Sequence, residues 1–290
     1  MIQADCIVES KDILGEVPLW SARHQRLYWI DVRRPALQSY DLVTEKVERF
    51  ELPEAVGSFC ESKSGDMLLA LKSGLYTFDT SSYQLDEWLN IEPDLPNNRL
   101  NDGKCDRQGR FWVGSMNDGD RLPTGSLYRI DADKKYEALL ANITIPNSLA
   151  WSPDGNLMYF ADTPSLKIMV YDFDTVEGIP HTPRVFRDMS GHPGRPDGAT
   201  VDIDGCLWSA EVRGSRVVRY TPKGEIDKIV QLPVTGVTSC AFGGPKLDTL
   251  YITTATQRLS AEELARQPLA GALFAVAVGT QGVPEMLFLG

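Results

Sequence analysis

Four oxygen-bearing residues, Glu16, Asn101, Asn147 and Asp197, recur at one phase of a repeat along the chain, each at the start of a predicted strand. Carboxylate and amide oxygens are the donors that hard divalent cations prefer, so four of them meeting at one point would make a cation site. Taken singly, each reads as a turn or cap residue. Taken together they point to a shared site, because carboxylates such as Glu16 and Asp197 brought close must either repel one another or share a cation.

What would bring them together is the repeat. A polar turn followed by an aromatic or β-branched run occurs six times, at Ser21–Asp31, Ser62–Leu71, Asp106–Met116, Ser152–Asp162, Asp202–Val212 and Gly243–Thr254. Superposing Trp29, Leu69, Trp112, Tyr159, Trp208 and Tyr251 gives a period of about 40 to 50 residues, the spacing of a four-stranded propeller blade. Each unit carries a second run, beginning at Leu37, Leu75, Leu127, Ile168, Val217 and Leu273. Upstream of each turn lies an apolar or small-residue segment that would form the innermost strand. Counting back about 11 to 13 positions from the superposed residues lands on Glu16, Val56, Asn101, Asn147, Asp197 and Thr238. The expectation is an all-β, six-bladed β-propeller, one domain over residues 1–290, with a metal site in its central channel.

The rest of the chain fits this reading. With 24 glycines and 18 prolines falling between short alternating runs, helix signals are nearly absent. The exception is Leu259–Gln267, where Ser260 followed by Glu263 forms a capping box for a short surface helix within blade six. Residues 2–8 also read as a strand. Either they or Met286–Leu289 could complete the last blade.

A net charge of −11 excludes the clustered Lys and Arg that nucleic acids or anionic membranes require. No signal peptide or transmembrane run is apparent, and five cysteines without a C-x-x-C pair suggest neither disulfides nor zinc. The expectation is a cytoplasmic monomer with reduced thiols. No G-x-S-x-G elbow occurs. The three histidines, His24, His181 and His192, lie in predicted loops without the pairing of a Ser-His-Asp set; His24 is expected in solvent, and His192 is a candidate for the rim.

Arg99 stands two residues before Asn101, so in an extended chain both project to one face, where they suit a substrate rich in hydroxyl and carbonyl oxygens. The plain alternative pairs Arg99 with Asp94 or Asp102 at the surface.

GEVPLW, RLNDGKCDRQGRFWVGSM, PNSLAWSPDG and RPDGATVDIDGCLW, in this order along nearly the whole chain, resemble the motifs of the gluconolactonase/regucalcin family. The C-terminal stretch further resembles bacterial sugar-acid lactonases such as xylonolactonase and arabinonolactonase. The resemblance implies one divalent ion (Ca, Zn, Mn, Mg or Fe(II)) held by Glu16, Asn147 and Asp197, substrate contacts from Arg99 and Asn101, and a small sugar lactone as substrate. One motif departs: Asn117, Asp118 and Gly119 follow Met116 where family members have an acidic pair, which leaves Asp118 to supply that contact.

A lactone needs its carbonyl polarised and a water activated. The metal suits the first task as a Lewis acid, and Asp197, next to Pro196 at a strand start, suits the second as general base. Two other classes stay open: a calcium-dependent, paraoxonase-like esterase for apolar substrates, and a non-catalytic metal-binding propeller. The absence of a W-D dipeptide and the Arg99–Asn101 pair weigh against both.

Overall fold

The structure, a computed structural model, describes residues 2–290. Six sheets, each with four antiparallel strands and one of them extended by a short fifth strand, form a ring. Their innermost strands are Gly15–Ser21, Val56–Glu61, Asn98–Cys105, Pro146–Trp151, Arg195–Val201 and Val237–Gly243. Each packs on the next, and the last packs on the first. The six expected blades are all present, and the second apolar runs are their third strands.

Burial explains why the pattern was readable. The second and third strands lie between neighbouring blades, so most of their side chains are apolar, and Trp29, Trp112 and Trp208 are wholly buried. A buried indole N–H needs an acceptor. Trp112 Nε1 donates to Asp106 at 2.9 Å and Trp208 Nε1 to Asp202 at 2.8 Å. Both aspartates open the D-x-x-G turns that start those strands, where Gly109 and Gly205 take left-handed conformations (φ 77° and 76°). One carboxylate thus fixes turn and tryptophan together.

The ring is closed by the N-terminal segment. Asp5–Val8 is the outermost strand of blade six, antiparallel to Leu273–Ala277, while Ile2–Gln3 adds in parallel to the outer strand Ile226–Gln231 of blade five. Met286–Leu289 does not complete the blade. The C-terminal tail instead crosses the far end of the ring: Gly282 bridges to Asp202, Phe288 N–H donates to Glu61 at 2.9 Å, and Leu289 N–H donates to Gly109 at 3.1 Å.

The expected helix runs from Ala261 to Arg266, with both halves of the Ser260–Glu263 capping box formed. The histidines need correction. His181 lies in the outer strand Ile179–Asp188, not in a loop. His24 is half-buried, its Nδ1 3.0 Å from the Tyr28 hydroxyl. The five cysteines are free, and all but Cys6 are buried. Among the described residues no helix is long and apolar enough to cross a membrane.

Candidate active site

At the end of the ring where the innermost strands begin, the axis opens into a cavity of about 500 Å³ whose lining includes Glu16, Arg99, Asn101, Asn147 and Asp197. All five sequence candidates meet there. Their convergence depends on a backbone irregularity. In each innermost strand the ladder shifts by one residue: the two residues between Glu16 and Leu19 oppose the one between Tyr28 and Ile30, and the same shift falls after Leu100, Asn147 and Pro196. Such a bulge re-aims a side chain. Directly after Glu16 and Asn147, Val17 (φ 47°) and Ser148 (φ 58°) take the left-handed conformation, costly for a β-branched valine and held only because the surrounding strands fix it.

The preceding loops are tied down as well. Asp31, at the end of blade one's second strand, accepts the N–H groups of Ile13 and Leu14 (3.1 and 3.2 Å), and Asp162 does the same in blade four for Thr144 and Ile145 (3.1 and 2.8 Å). A belt of side-chain to backbone hydrogen bonds then links blade to blade around the mouth. Asn101 Nδ2 donates to the Pro146 carbonyl (2.8 Å), Ser148 Oγ to the Asp197 carbonyl (2.6 Å), Thr163 Oγ1 to the Pro196 carbonyl (2.9 Å), and Thr238 Oγ1 to the Gly15 carbonyl.

Asn147 is oriented from two sides. Its Nδ2 donates to Thr163 Oγ1 at 2.8 Å and its Oδ1 accepts from Asn101 Nδ2 at 3.2 Å, leaving the second lone pair of that oxygen for the axis. Thr163 was missed in the sequence because it lies just beyond its strand, in the short 3₁₀ turn Thr163–Ser165.

Electrostatics supports a cation at this point. Burial pushes the Glu16 carboxyl up to about 8; the charge of Asp102 adds to the effect, and the Val17 N–H and Arg99 oppose it. Asp197 is raised well above the carboxylate range by burial, then by Glu16 and Asp102. Asp102 is itself raised, chiefly by burial, although the Leu149 N–H and Lys104 partly offset this. Burial and nearby like charge raise the proton affinity of all three carboxyls, and a divalent cation would stabilise them as anions. Among the described residues no three His, Cys, Asp or Glu side chains form a metal cage. A hard cation here would need a mixed donor set, and the residues that could supply it are the carboxylates of Glu16 and Asp197 with the amide oxygen of Asn147.

Asp102 escaped notice because alternation places it opposite Asn101, whereas the irregularity between Leu100 and Gly103 brings its charge to bear on Glu16 and Asp197.

Arg99 is buried and pairs with neither Asp94 nor Asp102. Its Nε donates to Asp118 Oδ1 at 3.0 Å and its Nη1 to Asn101 Oδ1 at 2.7 Å, so the two predicted contact residues are bonded to each other. Arg33 clamps Asp118 through two 2.6 Å contacts, and these cations hold Asp118 far below the usual carboxylate range despite its partial burial. Asp118 is thus the support for Arg99 and does not line the cavity. His192 does not line it either. It sits in the connection from blade four to blade five, with Nε2 3.0 Å from Arg187 and Nδ1 3.4 Å from Glu211.

Residues 14–256 match the family described as SMP-30/Gluconolactonase/LRE-like region. The chain is 40% identical over 98% of its length to the 6-deoxy-6-sulfogluconolactonase of Pseudomonas putida, covering 98% of that protein. It is 35% identical to the L-arabinolactonase of Azospirillum brasilense, covering 99% of this chain and 96% of that one. The crystal structure of regucalcin from Agrobacterium tumefaciens, described as a calcium-binding protein, superposes with a TM-score of 0.95 at 29% identity, over 99% of this chain and 97% of that one.

Proposed function

The chain belongs to the SMP-30/gluconolactonase/LRE-like family and is a hydrolase of ester bonds, and on that premise we propose that residues 1–290 act as one propeller domain that opens a polyhydroxylated sugar lactone to its aldonic acid. The observation that carries the reading is the meeting of Glu16, Asn147 and Asp197 with the bonded Arg99–Asn101 pair in one axial cavity. Glu16, Asn147 and Asp197 would hold a divalent cation, with calcium the first candidate from the regucalcin likeness. When bound there it supplies Lewis-acid polarisation of the lactone carbonyl.

The remaining work falls to the side chains. Among the described residues Arg99 has Nε and Nη1 engaged by protein acceptors and Nη2 without one, and Asn101 keeps the second lone pair of Oδ1, so Nη2 and that oxygen can bind the hydroxyls of the substrate and set its ring in the cavity. Asp197 takes a proton from water as the water oxygen bonds to the carbonyl carbon, and returns it to the ring oxygen as the acyl C–O bond breaks. Burial, then Glu16 and Asp102, raise Asp197 in the metal-free site; a cation held there would keep it an anion, the form that can accept this proton.

The test is proton release from a panel of lactones, with and without chelator. The panel holds neutral five- and six-carbon aldono-1,4- and 1,5-lactones, an unsubstituted lactone, an aryl ester, and 6-deoxy-6-sulfogluconolactone, the compound in the name of the Pseudomonas relative. Hydrolysis of sugar lactones that stops with chelator and returns with calcium or another divalent ion is expected. Preference for the aryl ester, or indifference to chelation, overturns the reading.

A further inference from the structure

The upper wall of the cavity carries four arginines that the lactonase mechanism leaves unused: Arg121, Arg195, Arg213 and Arg258. Elsewhere in this chain, where carboxylates outnumber basic residues 40 to 29, the arginines reach an acid or a backbone carbonyl: Arg26, Arg33, Arg110, Arg216 and Arg219 each have an acid within 3 Å, and Arg49, Arg107 and Arg187 donate to carbonyl oxygens. At the mouth the pairing stops. Among the described residues Arg195, Arg213 and Arg258 have no acid within 4 Å, and the nearest for Arg121 is Asp118 at 3.9 Å, already held by Arg33 and Arg99. Glu263, the one acid on this wall, has Oε2 bonded to the Ser260 N–H in the capping box.

The backbone at three of these positions bears on the choice of variants. Arg121 (φ 57°), Arg213 (φ 67°) and Arg258 (φ 66°) all take the left-handed conformation, which glycine fills at lower cost. That conformation occurs at sixteen non-glycine positions in the described residues, so what points to a ligand is the gathering of four cations around one opening with no acid of their own.

We propose that these four arginines form an anion subsite, receiving a sulfonate or phosphate carried by the lactone at the end remote from its carbonyl. This rests on the lactonase reading and narrows it to lactones of acidic sugars. The cation site lies at the cavity floor and the arginines at its rim, so one molecule presents its ester to the first and its anion to the second. Guanidinium groups suit this partner because their forked N–H donors match the oxygens of a tetrahedral anion. Arg195 precedes Asp197 at the spacing by which Arg99 precedes Asn101, so the same strand starts that aim the floor residues also carry the rim charge.

The experiment compares kcat/KM for a six-carbon aldonolactone with that for the same lactone bearing a C6 sulfonate, phosphate or carboxylate, in the wild type and in Arg213→Gly and Arg258→Gly. Glycine fits both backbone positions, so the variants should melt no lower than the wild type. The expected result is a preference for a charged lactone that falls about tenfold or more in each variant and weakens with added salt, while the neutral lactone changes less than about twofold. Whether sulfonate or phosphate leads identifies the substituent. Equal kcat/KM for neutral and charged lactones, or equal losses on both in the variants, overturns the subsite and leaves the lactonase reading intact. If no lactone is hydrolysed, that reading fails on its own, and calorimetric titration with the open-chain C6-sulfonated and C6-phosphorylated aldonates decides the subsite: binding that weakens in the variants sustains it, and no binding removes it.

Discussion

The two ends of the axial channel are made by the same six innermost strands, yet they are built to opposite ends. At the mouth the strands begin, ladder shifts turn Glu16, Asn101, Asn147 and Asp197 inward, and carboxyls are left without cations of their own. At the base the channel is filled. Lys104 Nζ bonds Glu285 at 2.9 Å and the Ala199 carbonyl at 3.2 Å, Cys60, Cys105 and Cys240 fill the strands as small apolar groups, and the C-terminal tail lies across the opening. Charge is neutralised at one end and held in excess at the other. A frame closed and satisfied at its base can keep a strained, unsatisfied mouth.

The largest expected effect tests the mouth. Asp197→Asn keeps an oxygen donor of nearly the same shape but removes the proton acceptor, so turnover at saturating metal should fall about 10²- to 10⁴-fold. Metal-free stability should hold or rise, since one of three mutually repelling buried carboxyls is gone. Normal turnover in this variant would leave Asp197 a ligand only.

Phe288→Ala tests the base. Phe288 is 1% exposed under blades two and three, packed edge-on against Trp88, and its loss should cost about 3–5 kcal/mol in urea unfolding. Its kcat/KM should be near that of the wild type below the melting transition. A loss of activity without a loss of stability would show that the two ends are not independent.

Thr163→Val should have a smaller effect at the mouth. The isosteric change removes the acceptor that orients the Asn147 amide and the donor to Pro196, and metal affinity should fall about 10- to 100-fold, read by titration with calcium. Unchanged affinity would remove Thr163 from the support of the site.

The smallest effect separates the ends by pH. Glu16 is raised in the fold, so the stability that depends on its protonated form is complete below its ordinary value of 4.5 and is lost as pH rises through about 8. Asp102 and Asp197 are shifted in the same sense. The metal-free protein should therefore melt lower at pH 8.5 than at pH 6, and calcium should raise the higher-pH melting point more. Glu16→Gln should flatten the metal-free difference, while Glu285→Gln at the base should leave it in place. A metal-free melting point independent of pH would mean that the mouth carries no excess charge.

The blades were legible because their second and third strands are apolar and the turns between them are punctuated by Gly and Asp at a regular period; Ser260 and Glu263 announced their helix in the same way. The outer strands were not. Val47–Glu51 and Ile179–Asp188 are largely solvent-exposed and keep no apolar alternation to read; beyond the backbone ladder each is held by one aromatic, Phe50 or Phe186, and by an ion pair within its blade. The floor residues shared a phase and could be found. Asp102 was hidden by the shifted ladder, and the rim arginines come from loops, except that the Arg195–Asp197 spacing repeats Arg99–Asn101 and could have been noticed.

The joining of Asp5 to Ala275 in one sheet makes the ring's closure a late event in the life of the chain. During synthesis, five blades can form from contiguous sequence, but the sixth waits with its outer strand already made and its partner still to come. Until Leu273–Ala277 emerges, residues 5–8 are an unclaimed β-edge, open to pairing with a neighbouring nascent chain. Refolding should accordingly be slow and sensitive to protein concentration, and a circular permutant opened in the Arg213–Ser215 turn, which makes residues 5–8 internal, should refold with less aggregation.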